Sequence, residues 1–160
     1  MGVGKGTTAR AFTKKFGTYI MDTDDLIESK EKKEVKKIFA KKGEAYFREQ
    51  EQLTADWIEA CVTGTFISCG GGFYKVNNLK KLGTVVLLDA SFEWIHNRLK
   101  TAKNSENKLA KRPLFSQEKE ARKLYDEREK AYRKLADVIV DVENMTLDEQ
   151  IDFIAKKCKI

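Results

Sequence analysis

Short apolar or β-branched runs alternate with longer amphipathic stretches along this chain, and this alternation limits the fold more than any other feature of the sequence. The short runs are typical of buried strands, and the longer stretches have the residue spacing of helices. Strands that alternate with helices pair in parallel, because each helix returns the chain across the sheet. We therefore predict an α/β fold with a parallel sheet, and its strands are residues 18–21, 65–68, 84–88 and 138–142.

Helices are predicted between and around these strands, at residues 5–16, 24–41 with a break allowed inside, 44–61, 91–101, 116–135 and 146–157. Gly43 and Gly64 stand where two of these helices should end, because glycine readily adopts the left-handed backbone that closes a helix. A polar, Lys- and Asn-rich stretch runs from residue 101 to 111, shortly before the only proline, Pro113. Such a stretch buries little, so we expect a mobile surface segment there.

Composition excludes several classes of function. The three cysteines, Cys61, Cys69 and Cys158, lack metal-type spacing, and His96 is the only histidine, so neither a zinc site nor a histidine-based triad is supported. No apolar run approaches the roughly 20 residues of a membrane span, and we expect a cytoplasmic protein. The formal charge of +6 is spread along mixed-sign helices, which suits an anionic ligand better than a nucleic acid.

The chain begins with a glycine-rich run that leads directly into a predicted helix. Glycines at this position let successive backbone N–H groups point at a phosphate, while a lysine reaches the outer phosphates. The run has most of a phosphate-binding loop, and the alternative is a glycine-rich frayed terminus. It reads Met1-Gly2-Val3-Gly4-Lys5-Gly6-Thr7.

Two aspartates follow the first predicted strand, in the run Asp22-Thr23-Asp24. The carboxyl ends of parallel strands are where such sheets place ligand chemistry. Carboxylates separated by one residue point in different directions, so one can face a metal and the other a second substrate. The alternative for Asp24 is a plain helix N-cap.

Arg48 and Glu51 are three residues apart on a predicted helix and share a face. Arg48 could be half of a surface ion pair, or its planar fork could hold a substrate carboxylate with Glu51 keeping it in place. The same helix carries an apolar stripe that we expect to pack on the sheet, made of Phe47, Leu53, Trp57, Ile58 and Cys61.

Three glycines in succession, 70–72, follow the second predicted strand. They are costly in chain entropy and contribute nothing to packing, so close backbone approach to a ligand explains them better than a tight turn does. Further on, Arg112 precedes Pro113 and Leu114 at the end of the polar segment. Arg128 lies among apolar positions of the predicted helix 116–135.

Six motifs follow one another along the chain: the phosphate loop, Asp-Thr-Asp, Phe-Arg-x-x-Glu, Gly-Gly-Gly, Arg-Pro-Leu and Leu-x-x-x-Arg-x-x-x-Tyr. In this order they resemble the shikimate kinase family over essentially the whole chain. That family consists of small P-loop kinases that use ATP and magnesium to phosphorylate the 3-hydroxyl of shikimate on the route to chorismate. The resemblance implies a three-layer α/β/α fold with sheet order 2-3-1-4-5, of which this chain lacks the first strand. It also implies one kinase domain over residues 1–160, substrate-binding helices at about 24–61, a lid at about 101–114, and a monomer without nucleic-acid or membrane partners.

For ATP, the resemblance implies that Lys5 and the loop backbone hold the phosphates, together with Gly2, Val3, Gly4, Gly6 and Thr7. Asp22 would contact magnesium through water, and Thr7 is a second candidate for the metal. Arg112 would lie over the transferring phosphoryl group. The loop with Glu143 and Asn144 resembles the family's adenine-side loop.

For shikimate, the resemblance implies that Arg48 and Arg128 bind the carboxylate and that Glu51 orients Arg48. Gly71 and Gly72 would line the pocket. Asp24 would accept a hydrogen bond from the substrate hydroxyl and act as its base. The catalytic set is thus Lys5, Asp24 and Arg112.

The sequence departs from the family pattern at two places. Gly6 stands where the family usually has Ser or Thr to ligate magnesium, which resembles adenylate kinases and predicts weaker magnesium binding. A glycine three positions before Gly2, and the central strand that leads to it, would lie upstream of Met1. We therefore expect the chain as given to be poorly soluble or unstable and nearly inactive.

The alternatives to a shikimate kinase are another small-metabolite or nucleotide P-loop kinase, such as a gluconate or adenylate kinase, and a truncated non-catalytic relative.

Overall fold

The structure, a computed structural model, describes residues 2–101 and 118–159. Its secondary structure alternates as the sequence predicts. The described residues divide into two compact units, one made of residues 6–85 and the other of residues 2–5, 86–101 and 118–159. In chain order the elements are α1 (Lys5–Phe16), β1 (Tyr19–Asp22), α2 (Thr23–Glu31), α3 (Val35–Cys61), β2 (Thr65–Ser68), β3 (Val86–Asp89), α4 (Phe92–Thr101), α5 (Glu118–Leu135), β4 (Val138–Asp141) and α6 (Leu147–Cys158).

The strands form two parallel pairs within the described ranges. In the unit 6–85, β1 pairs with β2, and the register places Asp22 opposite Ser68. In the other unit, β3 pairs with β4, with Asp89 opposite Asp141. These pairings confirm the prediction of an α/β fold with parallel strands. The predicted bounds of β2 are those observed, and the other three strands differ by one or two residues at their ends.

Both breaks expected in the helical stretches occur. Lys32 closes α2 in the left-handed conformation, with φ 50°, and an extended Glu34 precedes α3. Within α3, Gly43 has φ 80° and ψ 173°, so the helix is kinked there. This backbone is strained for residues with a side chain, which is why glycine stands at the kink. The kink separates a short first part of α3 from the long second part that carries Arg48.

The core of the unit 6–85 forms along α3 in two clusters. One cluster is made of Ile27, Ile38 and Phe47, which are all nearly or fully buried. A second cluster lies along the second part of α3, where Ala55 and Ile58 pack with Phe73 and Val76. Burying a side chain of this size stabilises the fold by about 1.5–3 kcal/mol. The two clusters therefore fix α3 against α2 and against the chain that follows β2.

The apolar stripe predicted on α3 is wrong in part. Phe47 and Ile58 are buried, but Leu53 and Trp57 are 46% and 45% exposed, and Cys61 is exposed as well. The buried face repeats every three or four residues as Phe47, Glu51, Ala55 and Ile58. A charged residue and a small one occupy two of these positions, which is why the hydrophobic pattern alone assigned the wrong face.

The second unit is held together around the ends of β3 and β4. The hydroxyl of Tyr125 on α5 donates a hydrogen bond to the carbonyl of Ala90, at 2.8 Å. Burial, with help from the Glu129 and Asp89 carboxylates, raises the pKa of Tyr125 to about 12. Asp89 also pairs with Arg133 of α5, at 2.6 Å. None of the helices in the described ranges has the length and hydrophobicity needed to cross a membrane.

Candidate functional site

Asp22 and Ser68 end neighbouring parallel strands, and their side chains are hydrogen-bonded to each other. The Ser68 hydroxyl donates to Oδ2 of Asp22 at 2.8 Å, and the backbone N–H of Asp24 donates to Oδ1 at 2.9 Å. Asp22 is therefore the N-cap of α2, so the alternative that Asp24 is only a cap is wrong. Both oxygens of Asp22 have a protein partner, and the carboxylate is held in one orientation.

Thr23 connects the start of α2 to the three glycines. Its side chain is fully buried, and its hydroxyl oxygen accepts a hydrogen bond from the backbone N–H of Gly70 at 2.9 Å. A Cβ on Gly70 would overlap Oδ1 of Asp24. The Asp24 carboxylate therefore lies directly against the glycine segment. Sequence reasoning missed Thr23 and Ser68. The only indication in the sequence was that each has a hydroxyl group and lies near the end of a predicted strand.

Arg48 is held by carboxylates on two sides. Its Nη1 donates to Oε2 of Glu51 at 2.5 Å, and its Nε and Nη2 donate to Oε1 of Glu44 at 3.0 and 2.9 Å. Burial disfavours the charged guanidinium, but Glu51 and Glu44 outweigh that effect, so the pKa of Arg48 is raised. Arg48 is thus a permanent positive charge, and Glu51 beneath it is 1% exposed. The predicted pairing of Arg48 with Glu51 is confirmed.

The other end of the glycine segment touches Arg48. A Cβ on Gly72 would overlap Nη1 of the Arg48 guanidinium. We expected a ligand to approach the backbone at residues 70–72, and the structure shows that two side chains of the protein itself do so, Asp24 at Gly70 and Arg48 at Gly72. Gly70 and Gly72 are two residues apart, which separates their Cα atoms by at most about 7 Å. A carboxylate and a guanidinium thus lie against the two ends of this short segment.

Two glycines of the loop ahead of α1 have backbone conformations that favour glycine. Gly2 and Gly4 have φ of 74° and 110°, a region that side chains rarely allow. Nη1 of Arg98, on α4, donates to the carbonyl of Val3 at 2.6 Å, and a Cβ on Gly4 would lie 2.7 Å from the same atom. Lys5 is the first residue of α1. Sequence reasoning missed Arg98, because in the sequence it is only a basic residue near the end of a predicted helix.

The first turn of α1 continues with Gly6 and an exposed Thr7. Within the two described ranges, no group of three or more His, Cys, Asp or Glu side chains is arranged to hold a metal ion. Magnesium is often held by one or two carboxylates, substrate phosphates and several waters. Asp22, whose oxygens are already hydrogen-bonded, fits a contact to such an ion through water better than direct ligation.

The remaining predicted site residues lie elsewhere in the chain. Arg128 is half-buried on α5. Asn144 follows β4, and its side-chain amide donates to Oδ2 of Asp141 at 2.7 Å, which holds the pKa of Asp141 below its usual range. Glu143 accepts a hydrogen bond from the backbone of Ser91. Arg112 and most of the predicted lid lie outside the described residues.

The structure thus gathers one set of predicted residues within the unit 6–85. Asp22 and Asp24 lie at the end of β1, Arg48 and Glu51 on α3, and residues 70–72 after β2. Each is tied to the glycine segment, directly or through Thr23, Ser68 or Arg48. This unit therefore offers a carboxylate and an arginine at the two ends of one glycine segment, which suits a small ligand that carries a hydroxyl and an acid group.

Comparison with known proteins points to one family. A family model described as shikimate kinase matches residues 1–159. A curated relative named shikimate kinase, from Helicobacter hepaticus, is 37% identical over 148 residues, which are 92% of this chain and 86% of that protein. Another of the same name, from a Sulfurihydrogenibium species, is 36% identical over 165 residues, covering 99% and 93% of the two chains. The crystal structure of shikimate kinase from Aquifex aeolicus is 31% identical, with a TM-score of 0.76, and the match covers 99% of this chain and 92% of that one.

Proposed function

The chain belongs to the shikimate kinase family, and from this membership we propose that it transfers the terminal phosphoryl group of ATP to the 3-hydroxyl of shikimate. It is an enzyme of aromatic amino acid biosynthesis, a transferase that uses ATP. The membership goes against the alternatives of a gluconate or adenylate kinase. The observation that carries the proposal is the placement of Asp24 and Arg48 at the two ends of the glycine segment.

We infer that Arg48 binds the carboxylate of shikimate. The guanidinium is charged, half-buried and held from below by Glu51, so it loses little freedom when a carboxylate docks on it. Glu51 acts through Arg48 and is a positioning residue. Arg128 is proposed as the second arginine of this clamp, and Gly71 and Gly72 as the backbone wall of the pocket.

Asp24 is proposed as the base for the acceptor hydroxyl. As the oxygen attacks the phosphoryl group, its proton moves to the Asp24 carboxylate, and the O–P bond forms while the bond to the departing ADP breaks. The contact with Gly70 holds the carboxylate at one end of the pocket while Arg48 holds the acid group at the other. In this proposal shikimate spans the glycine segment, with its carboxylate at Arg48 and its 3-hydroxyl at Asp24.

The loop ahead of α1 is proposed to bind the ATP phosphates. Lys5 and the loop backbone would contact them, together with Gly2, Val3, Gly4, Gly6 and Thr7. Arg98 lies against this loop and adds a positive charge beside it. We further propose that Arg112 approaches the transferring group and that Asn144 lies on the adenine side.

Magnesium is proposed to be held by the ATP phosphates and water, with Asp22 as a water-mediated partner and Thr7 as a further candidate. When bound, the ion neutralises charge on the phosphates. Asp22 keeps its orientation through Ser68 and the Asp24 backbone, so it can position a bound water without rearranging. We also propose a monomer. We further propose a cytoplasmic location, which is supported by three cysteines with free thiols.

An acceptor panel tests the proposed function. ADP formation is measured with ATP and magnesium in the presence of shikimate, gluconate, AMP or no acceptor, and the phosphorylated product is identified by mass. We expect ADP formation to depend on shikimate and to yield a shikimate phosphate, however low the rate of this chain is. Preference for gluconate or AMP would show another kinase, and ATP binding without any transfer would show a non-catalytic relative.

A further inference from the structure

Glu44 occupies an edge of Arg48 that a substrate carboxylate would use. Oε1 of Glu44 accepts hydrogen bonds from both Nε and Nη2 of Arg48, at 3.0 and 2.9 Å. These two N–H groups form one edge of the guanidinium fork, which binds carboxylates in a two-pronged manner. Glu51 takes Nη1, so two carboxylates already surround this single positive charge.

The two glutamates differ in how easily they can leave. The Glu51 side chain is 2% exposed, whereas that of Glu44 is 59% exposed. Glu44 also follows directly on the kink at Gly43, at the start of the second part of α3. The exposed Glu44 carboxylate is well solvated when it leaves, and Glu51 still pairs with the half-buried Arg48, so the separation costs little. Glu44 can therefore turn into solvent at small cost, and Glu51 cannot.

The edge formed by Nε and Nη2 of Arg48 has room for one carboxylate, and Glu44 occupies it. A substrate acid group that docks on this edge has to take the place of Glu44, because two carboxylates at hydrogen-bond distance repel each other. Glu51 can keep its bond to Nη1 during this exchange.

We propose that Glu44 is a specificity-determining residue, which occupies Arg48 when no substrate is bound and is exchanged for the substrate's carboxylate. This inference rests on the proposed role of Arg48 as the carboxylate clamp. It follows that Glu44 competes with shikimate and weakens its binding. It also follows that a compound without an acid group gains nothing from Arg48, because it cannot replace Glu44.

The test removes the competing charge and leaves the size of the side chain. In Glu44→Gln the amide binds Arg48 more weakly than a carboxylate does, so the KM and the directly measured Kd for shikimate should fall about two- to fivefold. The KM for ATP should stay the same. Glu49→Gln is the matched control, because it makes the same charge change at an exposed position beside Arg48, and there both constants should be unchanged. Glu44→Ala is a second variant and should show the same fall.

The opposite result would overturn the inference. If the shikimate KM is unchanged or rises in Glu44→Gln and Glu44→Ala, then Glu44 positions Arg48 instead of competing for it. Failure of both variants to fold would overturn it too, because an exposed competitor contributes little to folding. Failure of the proposed function is distinguishable, since the wild-type protein would then form no shikimate phosphate, whereas failure of this inference leaves that activity in place.

Discussion

The guanidinium of Arg48 lies so close to the backbone of Gly72 that one added carbon at residue 72 would overlap Nη1. Gly72 has φ −106° and ψ −11°, a conformation that other residues also adopt. Glycine is therefore needed there for space and not for backbone freedom. Because the far end of an arginine is flexible, a side chain at residue 72 would displace Arg48 before it disturbed the fold.

Gly72→Ala should accordingly impair binding more than stability. We expect the KM for shikimate to rise at least about tenfold, which corresponds to about 1.4 kcal/mol, while the KM for ATP stays near its wild-type value. Steady-state kinetics with each substrate varied in turn measure both constants, and thermal melting gives the change in Tm. A normal shikimate KM in the folded variant would show that Arg48 does not need this position.

Asp24→Asn should reduce turnover more than affinity. Asparagine has the same size and can keep its place against Gly70, but it cannot take a proton or carry a negative charge. We expect kcat to fall at least about 100-fold, with a much smaller change in the shikimate KM. Equal damage to both constants would reduce Asp24 to a binding residue.

The sequence predicted the fold well where hydrophobic pattern and glycine placement decide local structure. The parallel pairs, the break between α2 and α3 and the kink at Gly43 were all predicted. The exposure of Trp57 was not predicted, because the buried face of α3 includes Glu51, whose burial depends on its pairing with Arg48. A pattern of hydrophobic residues contains no information about such a partner.

The site was predicted in its residue types but not in its contacts. That residues 70–72 make room for Asp24 and Arg48 depends on how α2, α3 and the segment after β2 come together. Glu44 and Arg98 were not predicted as site residues for a related reason, since each is one charged residue among many on an amphipathic helix. Only the three-dimensional contacts distinguish them from their neighbours.

Arg98→Gln should weaken ATP binding. The substitution removes a positive charge and a hydrogen bond to the carbonyl of Val3, so we expect the KM for ATP to rise about two- to tenfold. The shikimate KM should not change. Lys100→Gln is the matched control, because it removes the same charge from an exposed position of α4. Equal effects of the two variants would mean that Arg98 acts only through net charge.

Gly6→Ser should lower the requirement for magnesium. A Cβ on Gly6 would lie 3.3 Å from Nη1 of the exposed Arg10, which can move, so a small side chain fits. A hydroxyl at this position can replace one bound water, and the magnesium concentration for half-maximal rate should fall about two- to tenfold. Gly6→Ala adds the carbon without the hydroxyl and should leave that concentration unchanged. The same result for both variants would show that the hydroxyl plays no part.

The most direct test of the whole account is shikimate-dependent ADP formation by Arg48→Ala and Arg128→Ala, measured beside ATP binding by the same folded variants. Removing one arginine leaves the substrate carboxylate partly unpaired in the pocket, which costs about 2–5 kcal/mol. The account predicts that each variant loses at least about 97% of the wild-type kcat/KM for shikimate and binds ATP normally. Near-normal kcat/KM in Arg48→Ala would contradict it, because the pocket between Asp24 and Arg48 would then not be where shikimate binds.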